Sequence, residues 1–222
     1  TKTGGNPVKA GEVIQLTVDD PTTNTPIVIS YTVTSADISN GNASVLIPTV
    51  SIPVNGTYSL SATITDAAGN VSPASTGSFI VDKTAPNAGT GALSSTSDSN
   101  NDGVSNAADS DNLTADNTPI LSGTADTGCI VEVTVGGKTY LIDPAAASQP
   151  TGITYNSGTG AWTVDLGSAV AVGDSAPAAP LADGIITPTI KVTDAAGNST
   201  TNAGTAFTVD ASAPALAGGL TT

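Results

Sequence analysis

The sequence predicts an all-β protein of two tandem β-sandwich domains joined by a short linker. Three observations lead to this expectation: a composition of strand and turn residues, an internal repeat, and an acidic segment between the copies. The 222 residues suffice for two domains of ordinary size. Gly (24) and Pro (14) are abundant and runs of helix-forming residues are missing, which favours strands and turns throughout.

The composition limits the kind of hydrophobic core that the chain can form and the kinds of binding partner that it can have. A hydrophobic fraction of 38% with only 3% aromatic residues predicts thin aliphatic cores. The formal net charge of −14 disfavours binding to nucleic acids or to anionic membranes, because both would repel the chain. Glu12 and Glu132 are the only glutamates, so the 19 acidic residues include 19 − 2 = 17 aspartates. Turns and Ca²⁺ coordination both favour such short carboxylates.

Missing residue types exclude several kinds of active site. Without histidine there is no Ser-His-Asp or Cys-His arrangement and no His-containing zinc site, so we expect no enzyme. The single cysteine, Cys129, lies in the strand-like "GCIVEVTV" and is interpreted as a buried free thiol, the alternative being a reactive one. No signal peptide or apolar run of membrane length is present, and the chain resembles an internal fragment of a longer protein.

An internal repeat organises the chain. "TITDAAGNVSPASTGSFIVDKTAP", which begins at Thr63, returns as "KVTDAAGNSTTNAGTAFTVDASAP" 128 positions later. "AGEVIQLTV" from Ala10 returns as "TGCIVEVTV" from Thr127, with an offset of 117. The second copy therefore carries 128 − 117 = 11 more residues, which we place around "GDSAPAAPLADG". The phenylalanines Phe79 and Phe207 occupy equivalent positions and are expected in the cores.

The strand pattern gives the expected architecture and boundaries. Segments such as "GEVIQLTVD", "PIVISYTVT", "NASVLIPTVSI", "GTYSLSATITD" and "TGSFIVD" have strand length and are bounded by turn residues. In the second copy, "CIVEVTVGGKTYLID" predicts a hairpin through Gly136 and Gly137. About six or seven strands per copy are typical of immunoglobulin-like sandwiches. We expect domains at residues 1–84 and 85–213, an acidic loop at 97–117 in the second, and the start of another linker at 214–222.

The acidic segment "SDSNNDGVSNAADSDN" matches the calcium-loop pattern D-x-[DN]-x-[DN]-G. Counted from its first aspartate, positions 1, 3, 5, 7 and 12 are Asp98, Asn100, Asp102, Val104 and Asp109. Alternate spacing would aim three side-chain oxygens inward, and the Val104 carbonyl would add a fourth. Flanking helices are not evident, so we expect the loop alone, inserted between the sandwiches. The alternative is a solvated linker without a metal.

A second group of carboxylates suggests a calcium site at the junction. Asp66 and Asp82 are expected at the C-terminal pole of the first sandwich, while Asp111, Asp116 and Asn117 enter the second. Like charges at about 4 Å repel by roughly 4 kcal/mol at an effective dielectric of 20, which a cation would relieve. Each residue also has an ordinary interpretation, because "TDAAGN" is a good turn and Asp82 could simply end a strand.

"TDAAGN", "VDKTAP", "DNTPILSGTADTG" and "VEVTVGGKTY" resemble bacterial immunoglobulin-like tandem repeats of giant surface adhesins and biofilm-associated proteins, many of them exported by type I secretion. The resemblance covers nearly the whole chain. It implies strings of domains on the cell surface with linkers stiffened by Ca²⁺. It also implies a monomer whose partners are neighbouring repeats of the same chain, with host or surface ligands bound by other domains. The N-terminal copy departs from the pattern because no acidic segment precedes it.

Three functions remain open at this point. The first is a calcium-stiffened spacer in a cell-surface adhesin involved in adhesion and biofilm formation. The second is a module that binds carbohydrate or a host protein, with Trp162, Tyr155 and the loop at 173–184 as its platform. The third is an ice- or surface-binding face of Thr-rich strands such as "YTVTS", which the repeats do not supply in regular ranks.

Overall fold

The computed structural model describes residues 7–22, 25–49, 52–98 and 111–215. The chain divides into two compact units, Thr1–Thr84 and Ala85–Thr222. We call them unit 1 and unit 2.

The described part of unit 1 contains one four-stranded antiparallel sheet and a short helix. Its elements are β1 (Val13–Asp19), β2 (Ile27–Thr32), α1 (Ser35–Asn40), β3 (Gly56–Thr65) and β4 (Ser75–Val81), and the sheet order is β2-β1-β3-β4. Alternating side chains place Val18 and Tyr58 inside, and the Tyr58 ring stacks on Phe79 with centroids 5.3 Å apart. Both large rings thus lie on one face of the sheet.

Two details of unit 1 differ from the sequence prediction. "SADISN" forms α1 because Thr34 and Asp37 make a capping box and Gly41 ends the helix at φ 71°. The predicted strand "NASVLIPTVSI" does not form in its described part, since residues 42–48 have no regular structure. Local capping and the two prolines nearby override the apolar pattern.

Unit 2 is a larger β-structure with a continuous core. Its strands are β5 (Ala92–Leu93), β6 (Leu113–Thr114), β7 (Ile120–Thr124), β8 (Ile130–Val135), β9 (Lys138–Ile142), β10 (Ile153–Tyr155), β11 (Ala161–Asp165), β12 (Gly184–Ile186), β13 (Thr189–Thr193), β14 (Ser199–Ala203) and β15 (Phe207–Val209). They form sheets ordered β10-β11-β7-β5, β12-β15-β6 and β14-β13-β8-β9. The predicted hairpin at Gly136 and Gly137 is confirmed, and both glycines have positive φ.

The core of unit 2 is aliphatic around a few rings, as the composition predicts. Trp162, Tyr140 and Phe207 are each 1% exposed and pack among buried Val, Ile and Leu side chains. The predicted core position of Phe207 is confirmed, and its equivalent Phe79 is half-buried. Together the three rings anchor several strands to one core.

The sequence repeat continues into the sheet register. Gly56 pairs with Val81 in unit 1, and Gly184 pairs with Val209 in unit 2, both 128 positions later. β12 and β13 together therefore correspond to the single long strand β3. Gly56 and Gly184 also share a positive φ, at 143° and 134°. The last strand of each unit thus pairs with the equivalent strand in the same register.

The acidic segment does not lie between the sandwiches, which corrects the sequence prediction. β5 precedes it and pairs with β7, while β6 follows it and pairs in parallel with β15. Both flanking strands therefore belong to unit 2. The chain therefore leaves unit 2 and returns to it around the acidic segment, and the segment does not join the two units.

Candidate functional site

The strands of unit 2 end at two poles. At one pole, which we call the entry pole, lie the start of the unit at Asn87 and the turn at Asp194. At the other, the exit pole, β5 ends, β7 begins and β15 ends. Here the Ile120 amide donates to Ser97 Oγ at 3.0 Å, and the Asp210 amide donates to the Thr114 carbonyl at 2.9 Å. The acidic segment therefore leaves from and returns to the exit pole.

Asp98 begins the predicted calcium loop and is placed by a tight turn after β5. Its amide donates to the Ser94 carbonyl at 2.9 Å, and the residue is only 4% exposed. Burial of a carboxylate is costly unless its charge is compensated. The first residue of the pattern thus lies buried at the exit pole of unit 2.

Asp111 and Asp116 lie on either side of β6: Asp111 precedes it, beside the start of β15, and Asp116 follows it, towards the exit pole. Asp111 Oδ1 accepts from the Leu113 amide at 2.9 Å, and Asp116 Oδ1 accepts from the Thr118 amide at 2.8 Å. Each carboxylate therefore shapes its own turn with one oxygen. Asn117, which follows Asp116, accepts a hydrogen bond from the Leu181 amide through its carbonyl.

The remaining predicted loop ligands, Asn100, Asp102, Val104 and Asp109, lie outside the residues that the structure describes. Within the described ranges, no three His, Cys, Asp or Glu side chains come together in a way that could hold a metal ion. The calcium loop therefore stays a prediction.

The expectation that Asp66 and Asp82 lie at one pole is wrong. Asp66 follows β3, whereas Asp82 follows β4, and the two strands are antiparallel with Gly56 opposite Val81. The ten residues of β3 separate the two carboxylates by roughly 33 Å at about 3.3 Å per residue. One ion cannot bind both. Asp116 likewise follows β6 towards the end of β15, where the chain leaves unit 2 and not where it enters at Asn87.

In both copies, groups of the turn "TDAAGN" donate hydrogen bonds to the carboxylate of the same turn. Asp66 Oδ1 accepts from the amides of Ala68 and Asn70, and its Oδ2 accepts from the Asn70 side chain, all at 2.9 Å. The Asn70 side-chain amide, followed by its backbone N–H, holds the pKa of Asp66 below 3.8. The equivalent turn at Asp194 repeats these three bonds at 2.9 Å.

A set of hydrogen bonds that the sequence predictions did not include lies just after the last strand of each unit. In unit 1, Asn55 Oδ1 accepts from the Lys83 amide at 2.8 Å, and its Nδ2 lies 2.5 Å from Thr84 Oγ1. In unit 2, Asp183 accepts from the Ala211 amide at 2.9 Å and from the Ser212 hydroxyl. We call these contacts the exit clamps. The 128-residue offset, continued upstream to Asn55 and Asp183, would have found them.

The platform predicted for ligand binding does not form. Trp162 is 1% exposed and belongs to the core, so its ring offers no surface to a sugar or a protein. Tyr155 is half-buried, and its hydroxyl accepts from the Gly128 amide at 3.1 Å. Leu181, from the loop at 173–184, packs against the same core. The alternation along β11 points the tryptophan inward, which composition alone could not reveal.

Cys129 is a buried free thiol, as interpreted from the sequence. Burial, together with the charges of Asp126 and Asp194, raises the pKa of this thiol above its usual value of 9.0. The thiolate is therefore disfavoured. Over the described ranges, no helix is both long and apolar enough to cross a membrane.

Comparison with known proteins identifies the family. Family models described as "Bacterial Ig-like domain" match residues 89–211 and, separately, residues 14–83. No curated protein matches the chain. Among solved structures, this chain is similar to a tetra-tandem repeat in the extending region of a large adhesion protein, with 19% sequence identity and a TM-score of 0.33. The match covers 92% of this chain and 43% of the adhesion-protein chain.

Two further structures have similar scores. A Ca²⁺-stabilized adhesin that helps an Antarctic bacterium reach out and bind ice is 23% identical, with a TM-score of 0.38. That match covers 95% of this chain and 42% of the adhesin chain. A 1.5-MDa bacterial ice-binding adhesin is 21% identical, covering 92% and 54%, with a TM-score of 0.33. This chain thus spans about half the length of these structures or less. By its matched family models, the chain belongs to the bacterial Ig-like domain family and carries two such domains in tandem.

Proposed function

We propose that this chain is a non-catalytic, calcium-stiffened extender segment of a bacterial cell-surface adhesin. The observation that carries the proposal is the direction of the chain through each unit. In unit 2 the chain enters at the Asn87 pole and leaves at the Asp210 pole. In unit 1, β1 begins opposite Thr65 and β4 ends opposite Gly56, which is the other end of β3. Domains that are entered and left at opposite ends extend a chain when they are repeated.

The same direction of the chain through each unit suits a segment that lengthens the adhesin. Each added unit contributes roughly the length of its longest strand, which for the ten-residue β3 is about 33 Å. The partners in this role are neighbouring repeats of the same chain, and the ligand of the adhesin would be bound by other domains. The place of action would be outside the cell, at the bacterial surface.

Calcium would bind at the exit pole of unit 2. The proposed ligands are the side chains of Asp98, Asn100, Asp102 and Asp109 and the carbonyl of Val104, with Asp111 and Asp116 nearby. Hard oxygen donors of this kind suit Ca²⁺. Because Asp66 and Asp82 lie at opposite ends of unit 1, the proposal is confined to unit 2. The ion would order the acidic segment beside the strand from which the chain leaves.

Calorimetric titration with Ca²⁺ and thermal unfolding with and without chelator test the metal. Extracellular modules bind Ca²⁺ with Kd of roughly 10⁻⁴ to 10⁻³ M. At a hundredfold excess over Kd the free energy of unfolding should rise by about 2.7 kcal/mol. Asp98→Ala with Asp102→Ala should abolish both the heat of binding and the stabilisation, while Asp19→Ala, an exposed strand residue of unit 1, should leave both intact. Unchanged binding in the double variant would refute the site.

Small-angle scattering of the whole chain tests the extender role separately. An extender requires a maximum dimension close to the summed lengths of two units. A particle no longer than one unit would contradict the role whether or not calcium binds.

A further inference from the structure

The apolar face of the sheet in unit 1 is less covered than the equivalent face in unit 2. In unit 2, two adjacent cross-strand pairs are 0% exposed, Val131 with Val192 and Val133 with Ile190. The repeat places two pairs of the same register at half-buried positions of unit 1, Ile14 with Ile64 and Leu16 with Ala62. We call these last four residues the open face of unit 1. The two sheets match in register and differ in what covers them.

The cover in unit 2 is a second sheet. The sheet ordered β10-β11-β7-β5 contributes Leu121, Trp162 and Val164 to the same core as the buried pairs. In the described part of unit 1, no second sheet is present. Burial of apolar surface is favourable, so the open face can gain free energy from an added layer.

Residues 43–47 of unit 1 offer a backbone to which such a layer can pair. They follow β2 and precede β3, as β10 and β11 follow β9 and precede β12 in unit 2. Their exposure alternates, with Val45 and Ile47 half-buried and Leu46 83% exposed. Within the described ranges, their N–H and C=O groups make no hydrogen bond to other protein groups. Unpaired backbone with alternating side chains is a template for an added strand.

β7 of unit 2 shows what an added strand provides. It pairs with β11, so that Leu121 lies opposite Val164 and Gly123 lies opposite Trp162. Leu121 is 0% exposed in the core. The strand thus supplies backbone hydrogen bonds and an apolar side together, which is how peptides bind by strand addition.

Residues 7–12, which precede β1, do not take this place in unit 1. The Gly11 amide donates to the Val33 carbonyl, and the Val33 amide donates to the Glu12 carbonyl, both at 2.8 Å. Val8, the only large apolar residue between Thr1 and β1, is 41% exposed. The occupant is therefore assigned to another polypeptide.

We propose that unit 1 is an acceptor for an added β-strand. The strand pairs with residues 43–47 and lays its apolar side chains on the open face. Its chemistry is that of β7, an extended peptide that is apolar on one side, and it is supplied by another bacterial Ig-like polypeptide. The inference concerns unit 1 alone, and neither calcium nor the extender role enters it.

The strand that fits unit 1 can be larger than β7 at one position. At Gly123 a Cβ would lie 1.9 Å from the Thr90 carbonyl oxygen and 2.4 Å from Cζ2 of Trp162. Trp162 is the only tryptophan of the chain, so unit 1 has no such ring. A β7 peptide with Gly123→Val therefore suits unit 1 and is too large to replace β7 in unit 2.

A synthetic peptide with the sequence of residues 114–127 and Gly123→Val is the probe. Fluorescence anisotropy of the labelled peptide measures its binding to the whole chain, and hydrogen exchange followed by mass spectrometry locates it. We expect the amides of residues 43–47 to exchange fast in the free chain and to be protected when the peptide is bound. The control peptide carries the same side chains with N-methyl groups on the amides of residues 120–124, which removes the donors that pairing requires.

Two variants of the chain separate the backbone from the side chains. Leu46→Pro with Ile47→Pro removes two amide donors from the acceptor segment, and we expect roughly tenfold weaker binding. Leu46→Ala with Ile47→Ala removes the two side chains and keeps the amides, so it should weaken binding less. Leu46→Pro alone serves if the double variant unfolds, because the Leu46 side chain is exposed.

Each other outcome overturns the inference in a recognisable way. Binding without protection of residues 43–47 would place the peptide elsewhere on the chain. Equal binding of the N-methylated peptide would mean that apolar contact holds it without strand pairing. A chain that is dimeric by light scattering, with residues 43–47 already protected, would make a second copy the occupant. No binding at the highest soluble peptide concentration would show that unit 1 accepts no such strand, and it would leave the calcium and extender proposals standing.

Discussion

Asn55 and Asp183 hold the chain at equivalent places, 128 positions apart, with opposite hydrogen-bond polarity. Asn55 Nδ2 donates to the Thr84 hydroxyl, whereas Asp183 accepts from the Ser212 hydroxyl. Both side chains accept from the backbone amide one residue earlier, at Lys83 and Ala211. A hydroxyl can donate or accept, so the pair tolerates either partner. The requirement at this position is therefore an acceptor for the backbone N–H.

Trp162→Ala should strongly destabilise unit 2. The indole is 1% exposed in the core, and removal of such a ring costs about 3–5 kcal/mol. Urea unfolding followed by circular dichroism measures the change. Ile185→Ala is the control, because this strand residue is 78% exposed and should change the free energy of unfolding by less than about 0.5 kcal/mol. Equal effects of the two substitutions would contradict the buried position of Trp162.

Gly123→Ala should also destabilise unit 2, because no space exists for a methyl group. A Cβ there would lie 1.9 Å from the Thr90 carbonyl oxygen and 2.4 Å from Cζ2 of Trp162. Overpacking of this kind costs about 1–3 kcal/mol. Thermal unfolding is the measurement, and Gly77→Ala, where nothing lies within 4 Å, is the control. A neutral Gly123→Ala would mean that the approach of β7 to Thr90 is looser than described.

The turn at Asp194 should contribute stability that depends on pH. The Asn198 side chain, with backbone N–H groups of the turn, holds the pKa of Asp194 below its ordinary value of 3.8. The folded pKa is depressed, so the contribution is present above pH 4 and is lost as the pH falls through the folded value. Asp194→Asn should therefore lower the melting temperature at pH 7, and its difference from the unsubstituted chain should shrink towards pH 3.

Asp66→Asn repeats the test in unit 1, because Asp66 accepts the same three hydrogen bonds and its pKa is lowered in the same way. A difference in melting temperature that stays constant from pH 7 to pH 3 would contradict the role of the two carboxylates.

Calcium binding should be insensitive to the acidic residues of unit 1. Asp66 and Asp82 lie at opposite ends of β3, so they cannot share an ion, and Asp66→Ala with Asp82→Ala should leave the Ca²⁺ stoichiometry unchanged. Asp98→Ala with Asp102→Ala is the positive comparison. Calorimetric titration distinguishes the two pairs. Loss of one Ca²⁺ per chain in the unit 1 variant would contradict the assignment to unit 2.

Much of the fold could be predicted because it follows from local patterns. The β8–β9 hairpin depends on Gly136 and Gly137, which adopt the positive φ that such a turn requires. Membership of the bacterial Ig-like domain family, expected from the repeated "TDAAGN" and "VDKTAP" segments, is confirmed by the family models. The helix α1 was missed, since one capping box outweighs the strand-like composition around it.

The candidate site was less predictable, because a sequence does not state which strand ends meet. Trp162 was the platform of the alternative binding hypothesis, yet one step along a strand reverses the face of a side chain, and this one is buried. The exit clamps join residues 28 to 29 positions apart, and neither Asn55 nor Asp183 lies in a recognisable motif.

By itself, the sequence determined that this chain is an all-β tandem of related domains, since strand alternation, turn residues and the 128-residue repeat are properties of short segments. Only the tertiary structure decided which carboxylates can act together. Antiparallel pairing sends Asp66 and Asp82 to opposite ends of one hairpin, while β5 and β6, the strands on either side of the acidic segment, both pair with strands of unit 2. Distance along the chain does not predict that grouping, because the direction of each strand sets the pole at which its neighbouring residues lie.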